Sequence, residues 1–214
     1  MKVAIIDSGI HAAHPHVGRV GGAVHITASG FGDDPCDRLG HGTAVAGAIR
    51  EKAPDAELYA VKVFDRRLSA KIDAIVRALE WCRKEGMDLI NLSLGTANPE
   101  HEPLLAQALR GTGLVVSAAG MLPGTLAGVI GVAPDGSCPR DTFYERGGVY
   151  YASPYPRPIP GVPVARNLSG ASFAVANMTG LIARGALYLP LSTKLAAESV
   201  EGRSRSSASG PNSK

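Results

Sequence analysis

The chain has 214 residues, 45% of them apolar, which is enough for one sizeable core and too few for two enzyme domains of ordinary size. Its 22 basic and 19 acidic residues leave a formal charge of +3, and Arg203, Arg205 and Lys214 hold three of the positive charges. The body is therefore nearly neutral, which excludes the charge excess of a nucleic-acid binder or a polybasic membrane-surface protein.

In chain order, Lys2 to Asp7 is a short apolar run closed by Ser8 and Gly9, a buried strand ending in a turn. It follows Met1 at once, without the basic region, long apolar stretch and small-residue site of a secretory leader. Helical spacing fills His41 to Lys52, Ser69 to Lys84 and Glu100 to Arg110, and Ile72, Ile75, Val76, Leu79 and Cys82 share one face of the second. Leu58 to Phe64, Asp88 to Leu94, Gly113 to Ala118 and Val129 to Ala133 are rich in Val, Ile and Leu, as strands covered on both faces are. This alternation predicts an α/β fold with three layers: βαβ crossovers, a mostly parallel central sheet and helices on both faces.

From Pro134 to Pro163 the texture shifts to Pro, Gly, Tyr and Arg, which predicts loops and short antiparallel strands. A last helix is expected from Ser172 to about Tyr188, apolar nearly all round as a central buried helix is. The polar residues 202–214 predict a disordered tail behind a single domain over 1–201. No run nears the roughly 18 apolar residues of a spanning helix. The three cysteines, Cys36, Cys82 and Cys138, cannot all pair, and their spacing fits neither a disulfide framework nor a zinc site. The expectation is a cytoplasmic protein without cofactor, nucleic-acid partner or membrane; the oligomeric state is open.

Three segments place a reactive residue beside glycine. IIDSGI sets Asp7 at the carboxyl end of the leading strand, the edge that borders the ligand crevice of an open α/β sheet. HGTAVAGAI sets His41 between Gly40 and Gly42 at a helix start. LSGASFAVANMTG sets Ser172 at the start of the buried helix, where its own N–H and the helix dipole favour an anion. Each alone has an ordinary explanation, as a turn aspartate, a structural histidine or an N-cap serine. Together they supply a nucleophile, the base that takes its proton and the carboxylate that orients the base.

These segments, in the order Asp, His, Ser, resemble those of the subtilisin family of serine peptidases. LINLSLG is similar to the family's substrate-pairing strand, here Ser93, Leu94 and Gly95. VVSAAGM is similar to the strand that walls the primary specificity pocket, here Ala118, Ala119 and Gly120. The matches run from Lys2 to about Gly180. HAAHPHV follows the family's loop after the Asp strand, which explains His11, His14 and His16 as loop structure and not as a metal site.

The resemblance implies a serine endopeptidase forming an acyl-enzyme, with Asp7, His41 and Ser172 as triad, no metal, and a peptide or protein as substrate. Restricted processing of that substrate is expected. Three positions depart from the family's pattern. At the oxyanion position, beside the Ser172 N–H, the family's asparagine is Met121, and a thioether cannot donate a hydrogen bond. The threonine before the nucleophile is Ala171, and the proline of the nucleophile helix is Ala176. Asn167 and Ser169 are the nearest polar candidates for a substitute donor. The chain begins at the Asp strand, and the expectation is a trimmed version of the family's domain without the N-terminal arm, propeptide and calcium loop. Cys36, five residues before His41, reads either as a thiol near the cleft or as a small loop residue. A peptide-binding module with impaired catalysis and a peptide ligase or cyclase remain the competing readings.

Overall fold

The structure, a computed structural model, describes residues 1–186; the tail expected over 202–214 lies outside the described residues. Its strands are β1 (Lys2–Asp7), β2 (Gly22–Thr27), β3 (Gly30–Gly32), β4 (Glu57–Lys62), β5 (Leu89–Leu92), β6 (Leu114–Ala118), β7 (Val129–Pro134), β8 (Phe143–Arg146) and β9 (Val149–Ala152). Its helices are α1 (His41–Lys52), α2 (Ile72–Lys84), α3 (Glu102–Ala108) and α4 (Ala171–Ala183).

β1 has no polar side chain between Lys2 and Asp7, so both of its faces must be covered. Val3 and Ile5 point into a core shared with α1 and α4, whereas Ala4 and Ile6 point into a second core shared with α2 and α3. β1 therefore sits centrally in a nine-stranded sheet of order β3-β2-β4-β1-β5-β6-β7-β9-β8. Pairing is parallel except at the two edges, where β2 meets β3 and β8 meets β9 antiparallel. This is the three-layer α/β arrangement expected from the alternation of runs. β1 pairs with β4 on one side and β5 on the other, and the chain crosses over from β4 to β5, so the carboxyl end of β1 lies at a topological switch point.

α1 and α4 pack against each other through small residues. A methyl group at Gly180 would come within 3.0 Å of Lys52 Cβ and 3.1 Å of Ile49 Cα. At the other end the His41 and Phe173 rings lie 5.5 Å apart between centroids. Start lies beside start and end beside end, so the helices run parallel, and both begin at the carboxyl edge of the sheet.

Several details differ from the expectation. β5 ends at Leu92, two residues early, and α3, which runs Glu102–Ala108, is two residues short at each end. β4 stops at Lys62, two residues early, because Val63 and Phe64 both donate their N–H to the Asp7 carbonyl, at 2.8 and 3.2 Å, and turn the chain aside. α2 begins at Ile72 instead of Ser69. α4 begins at Ala171 and ends at Ala183, short of Tyr188: Gly185 is left-handed (φ 86°), and Gly185 and Ala186 donate to the Ile182 and Leu181 carbonyls. The β2–β3 hairpin was not legible at all, since GAVHIT and GFG carry no run of Val, Ile or Leu.

Candidate active site

Asp7 is the last residue of β1 and is fully buried. Its Oδ1 accepts a hydrogen bond from the Ser8 N–H at 2.7 Å and lies 2.8 Å from His41 Nδ1. An ionised carboxylate only accepts, so Nδ1 carries the proton and Nε2 keeps its lone pair. Asp7 Oδ2 has no partner among the described residues.

His41 opens α1, and its neighbours explain why glycine flanks it. Gly40 takes a left-handed turn (φ 76°) to start the helix, while a methyl group at Gly42 would come within 2.2 Å of the Gly9 carbonyl oxygen. The start of α1 is thus pressed directly onto the turn that follows Asp7. Burial of the imidazole opposes its charged form. The hydrogen bond and charge of Asp7, with the charge of Asp37 behind it, outweigh burial and raise the His41 pKa above its ordinary value.

Ser172 is the second residue of α4, and its backbone N–H has no acceptor among the described residues, as the first turn of a helix requires. Its Oγ donates to the Ser93 carbonyl at 3.2 Å. The described hydrogen bonds include none between Ser172 and His41, although both side chains line the same cleft. A buried relay holds the Ser172 backbone to β5 and the segment after it. Ser93 Oγ donates to the Ser172 carbonyl at 3.0 Å, Asn91 Nδ2 to Ser93 Oγ at 2.8 Å, and Thr179 Oγ1 lies 3.0 Å from Asn91 Oδ1.

The cleft has a volume of about 340 Å³. Ser93, Leu94, Gly95 and Thr96 line it. Ala118, Ala119 and Gly120 lie outside it, with Ala119 donating to the Val132 carbonyl. The opposite wall is apolar, made by Phe64, Ile72, Ile75, Leu105 and Leu122. Sequence reasoning counted this wall as core or did not consider it. The signal available was position: Phe64 follows β4, and loops after parallel strands border the crevice.

Met121 is 39% exposed and packs over Gly95, where a methyl group would meet Met121 Cβ at 2.9 Å. It flanks the 93–96 segment, to which Leu122 is tied by two backbone bonds with Thr96. Asn167 lines a different cavity, and its amide donates to the Arg157 carbonyl at 3.3 Å. His14 and His16 stand edge to face, 5.0 Å between centroids. Among the described residues no three His, Cys, Asp or Glu side chains gather as metal ligands. Cys36 is exposed, while Cys82 and Cys138 are buried, and all three are free thiols. Burial pushes the Cys82 thiol up to about 12.

The Subtilase family matches residues 1–133 of the chain. Subtilisin DY of Bacillus licheniformis is 38% identical over 131 residues, covering 56% of this chain and 46% of that protein. Subtilisin Savinase of Lederbergia lenta is 33% identical over 201 residues, 85% of this chain and 71% of the relative. The alkaline protease of Alkalihalobacillus alcalophilus is likewise 33% identical over 201 residues, 85% of this chain and 50% of the relative. The chain thus spans about half the length of Subtilisin DY and of the alkaline protease.

Proposed function

The chain belongs to the subtilase family of serine peptidases, and from that premise we propose that it is a serine endopeptidase acting through Asp7, His41 and Ser172. The observation that carries this reading is the buried Asp7–His41 pair at 2.8 Å, set on the same cleft as Ser172 at the start of a parallel helix.

Ser172 leaves the Ser93 carbonyl by a change of χ1 rotamer, a small motion for a serine. His41 Nε2 takes its proton as Oγ attacks the peptide carbonyl, and the carboxylate of Asp7 stabilises the imidazolium. His41 then returns the proton to the leaving amine, and water, activated in the same way, releases the acyl group. The Ser172 N–H and the positive end of α4 face the developing oxyanion. Substrate lies as an added strand along Ser93 to Gly95, with one side chain toward Ala118 to Gly120. Met121 supplies no donor, which supports slow, restricted processing over bulk digestion. The free thiols support a reducing compartment, and the cytoplasm is the site we assign; fractionation of cells tests it.

A fluorophosphonate probe tests the catalytic assignment. The wild-type chain is expected to label at Ser172, and Ser172→Ala to give none. Folded wild type that does not label contradicts it. That outcome favours the second reading, a peptide-binding module, which the Ser172–Ser93 bond and Met121 support. Product mass in the presence of added amines separates hydrolysis from ligation.

A further inference from the structure

The residue that ties the Asp7 segment to the His41 segment is a second carboxylate, Asp37, which no motif singled out. It lies half-buried in the loop before α1. Its Oδ1 accepts hydrogen bonds from Ser8 Oγ, Leu39 N–H and Gly40 N–H, each at 2.9 Å. Its Oδ2 accepts from the Thr43 N–H at 2.9 Å and Thr43 Oγ1 at 2.6 Å. Ser8 Oγ in turn accepts the Gly42 N–H at 2.9 Å, and Thr43 Oγ1 accepts the His11 N–H at 3.0 Å.

We propose that Asp37 is a positioning residue for the Asp7–His41 pair: it joins the residue after Asp7 to the two residues after His41, and it sets a negative charge against the start of α1. The proposal rests on the reading of His41 as general base. Two consequences follow from the geometry. The first is mechanical. Ser8 and Thr43 flank Asp7 and His41 in sequence, so a single carboxylate that binds both fixes the separation on which the Asp7–His41 hydrogen bond depends.

The second is electrostatic. His41 is the first residue of α1, where the helix dipole disfavours a positive imidazolium. A carboxylate on the Thr43 and Gly40 N–H groups neutralises that end of the helix. It does so where the proton arrives during catalysis. Burial works against the charge of Asp37, but the bonds from Thr43, Leu39 and Ser8 hold its carboxyl below its ordinary value, so it stays ionised. The other groups around His41 bring no competing charge from the elements packed on it. From β1 comes Asp7, from α4 the uncharged Phe173, and along the cleft stands His101. Lys62 of β4 is turned away, onto the Cys36 carbonyl at 2.9 Å and Asp65 at 3.3 Å.

The test is the pH profile of fluorophosphonate labelling in wild type, Asp37→Asn, Asp37→Glu and Ser8→Ala. His41 must be neutral to accept the serine proton, so labelling rises with pH through the imidazole pKa. A nearby negative charge raises that pKa, so removing it moves the midpoint down. Asp37→Asn is expected to lower the midpoint by about 0.5–1 pH unit and the plateau rate by about ten-fold or more. Asp37→Glu, which keeps the charge, is expected to restore the midpoint. Ser8→Ala loosens the link without changing charge, so its plateau falls while its midpoint stays.

A folded Asp37→Asn with the wild-type midpoint and plateau overturns the proposal. So does a plateau loss without movement of the midpoint, since a purely structural role predicts that. If Asp37→Asn does not fold, Ser8→Ala decides, and a plateau equal to wild type overturns the proposal. Absence of labelling in wild type is a separate result and rejects the general-base reading itself.

Discussion

The two sides of the proposed catalytic site, which we call the base wall and the oxyanion wall, differ in how they are built. On the base wall, Asp7, Ser8, Asp37, His41, Gly42 and Thr43 are cross-linked by hydrogen bonds between side chains and backbone. On the other side, Ser172 is anchored through Ser93, and in the function proposed above Met121 and Ala171 bring no hydrogen-bond donor to the oxyanion. Proton transfer needs only a fixed base and its carboxylate, whereas stabilising an oxyanion needs donors aimed at a charge that appears in the transition state. A protein can retain the first and reduce the second, and the difference then falls on rate and not on chemistry.

The harshest way to break that contrast acts on the base wall. Asp7→Asn leaves a neutral amide that can present its N–H to His41 and fix the wrong tautomer, so acylation should fall by about 10⁴. Pre-steady-state labelling measures it, and a loss below ten-fold would show that the wall is ornamental. Gly42→Ala comes next, because its methyl meets the Gly9 carbonyl oxygen at 2.2 Å. Urea titration should show a loss of about 2–3 kcal/mol, with the remaining activity reduced in the folded fraction.

The smallest effect sharpens how the two walls are joined. Lys52, at the end of α1 beside Gly180 of α4, is only 5% exposed, and burial pushes its pKa down to about 8 from 10.5. Between those values the unfolded chain holds the proton and the folded chain releases it, so stability rises with pH across that window, and the penalty is complete below it. Lys52→Met should remove this rise. Because Arg140 still holds Glu51, the variant should be more stable near pH 7 by about 1 kcal/mol. Denaturation at pH 7 and pH 10 compares the two chains directly.

The contrast also shows what a sequence displays. Asp7, His41 and Ser172 stood out because each stands where a buried element meets glycine; Gly9 and Gly42 answer close approaches of backbone, while Gly40 and Gly170 take positive φ at the helix starts. The central sheet was legible because β1, β4, β5, β6 and β7 need two apolar faces. Asp37 was not, since its work is done on the backbone N–H groups of Leu39, Gly40 and Thr43, which every sequence supplies. Its one visible trace is a carboxylate four residues before a helix start, a common capping signal. Phe64, Ile72, Ile75 and Leu105 carry the same apolar side chains whether they fill a core or wall a cleft. The β2–β3 hairpin is held by pairing to β4, with only Ile26 of the two strands fully buried, so no periodic pattern announces it.

The central claim, a complete base wall facing a depleted oxyanion wall, is tested most directly by Met121→Asn. A side-chain donor at this position is worth about 10²–10³ in turnover, a magnitude known from subtilisin itself. The account predicts that acylation by a peptide ester rises at least ten-fold in this variant, with the pH midpoint set by His41 unchanged. An unchanged or lower acylation rate in a folded Met121→Asn chain would contradict it, because the oxyanion wall would then not be what limits the reaction.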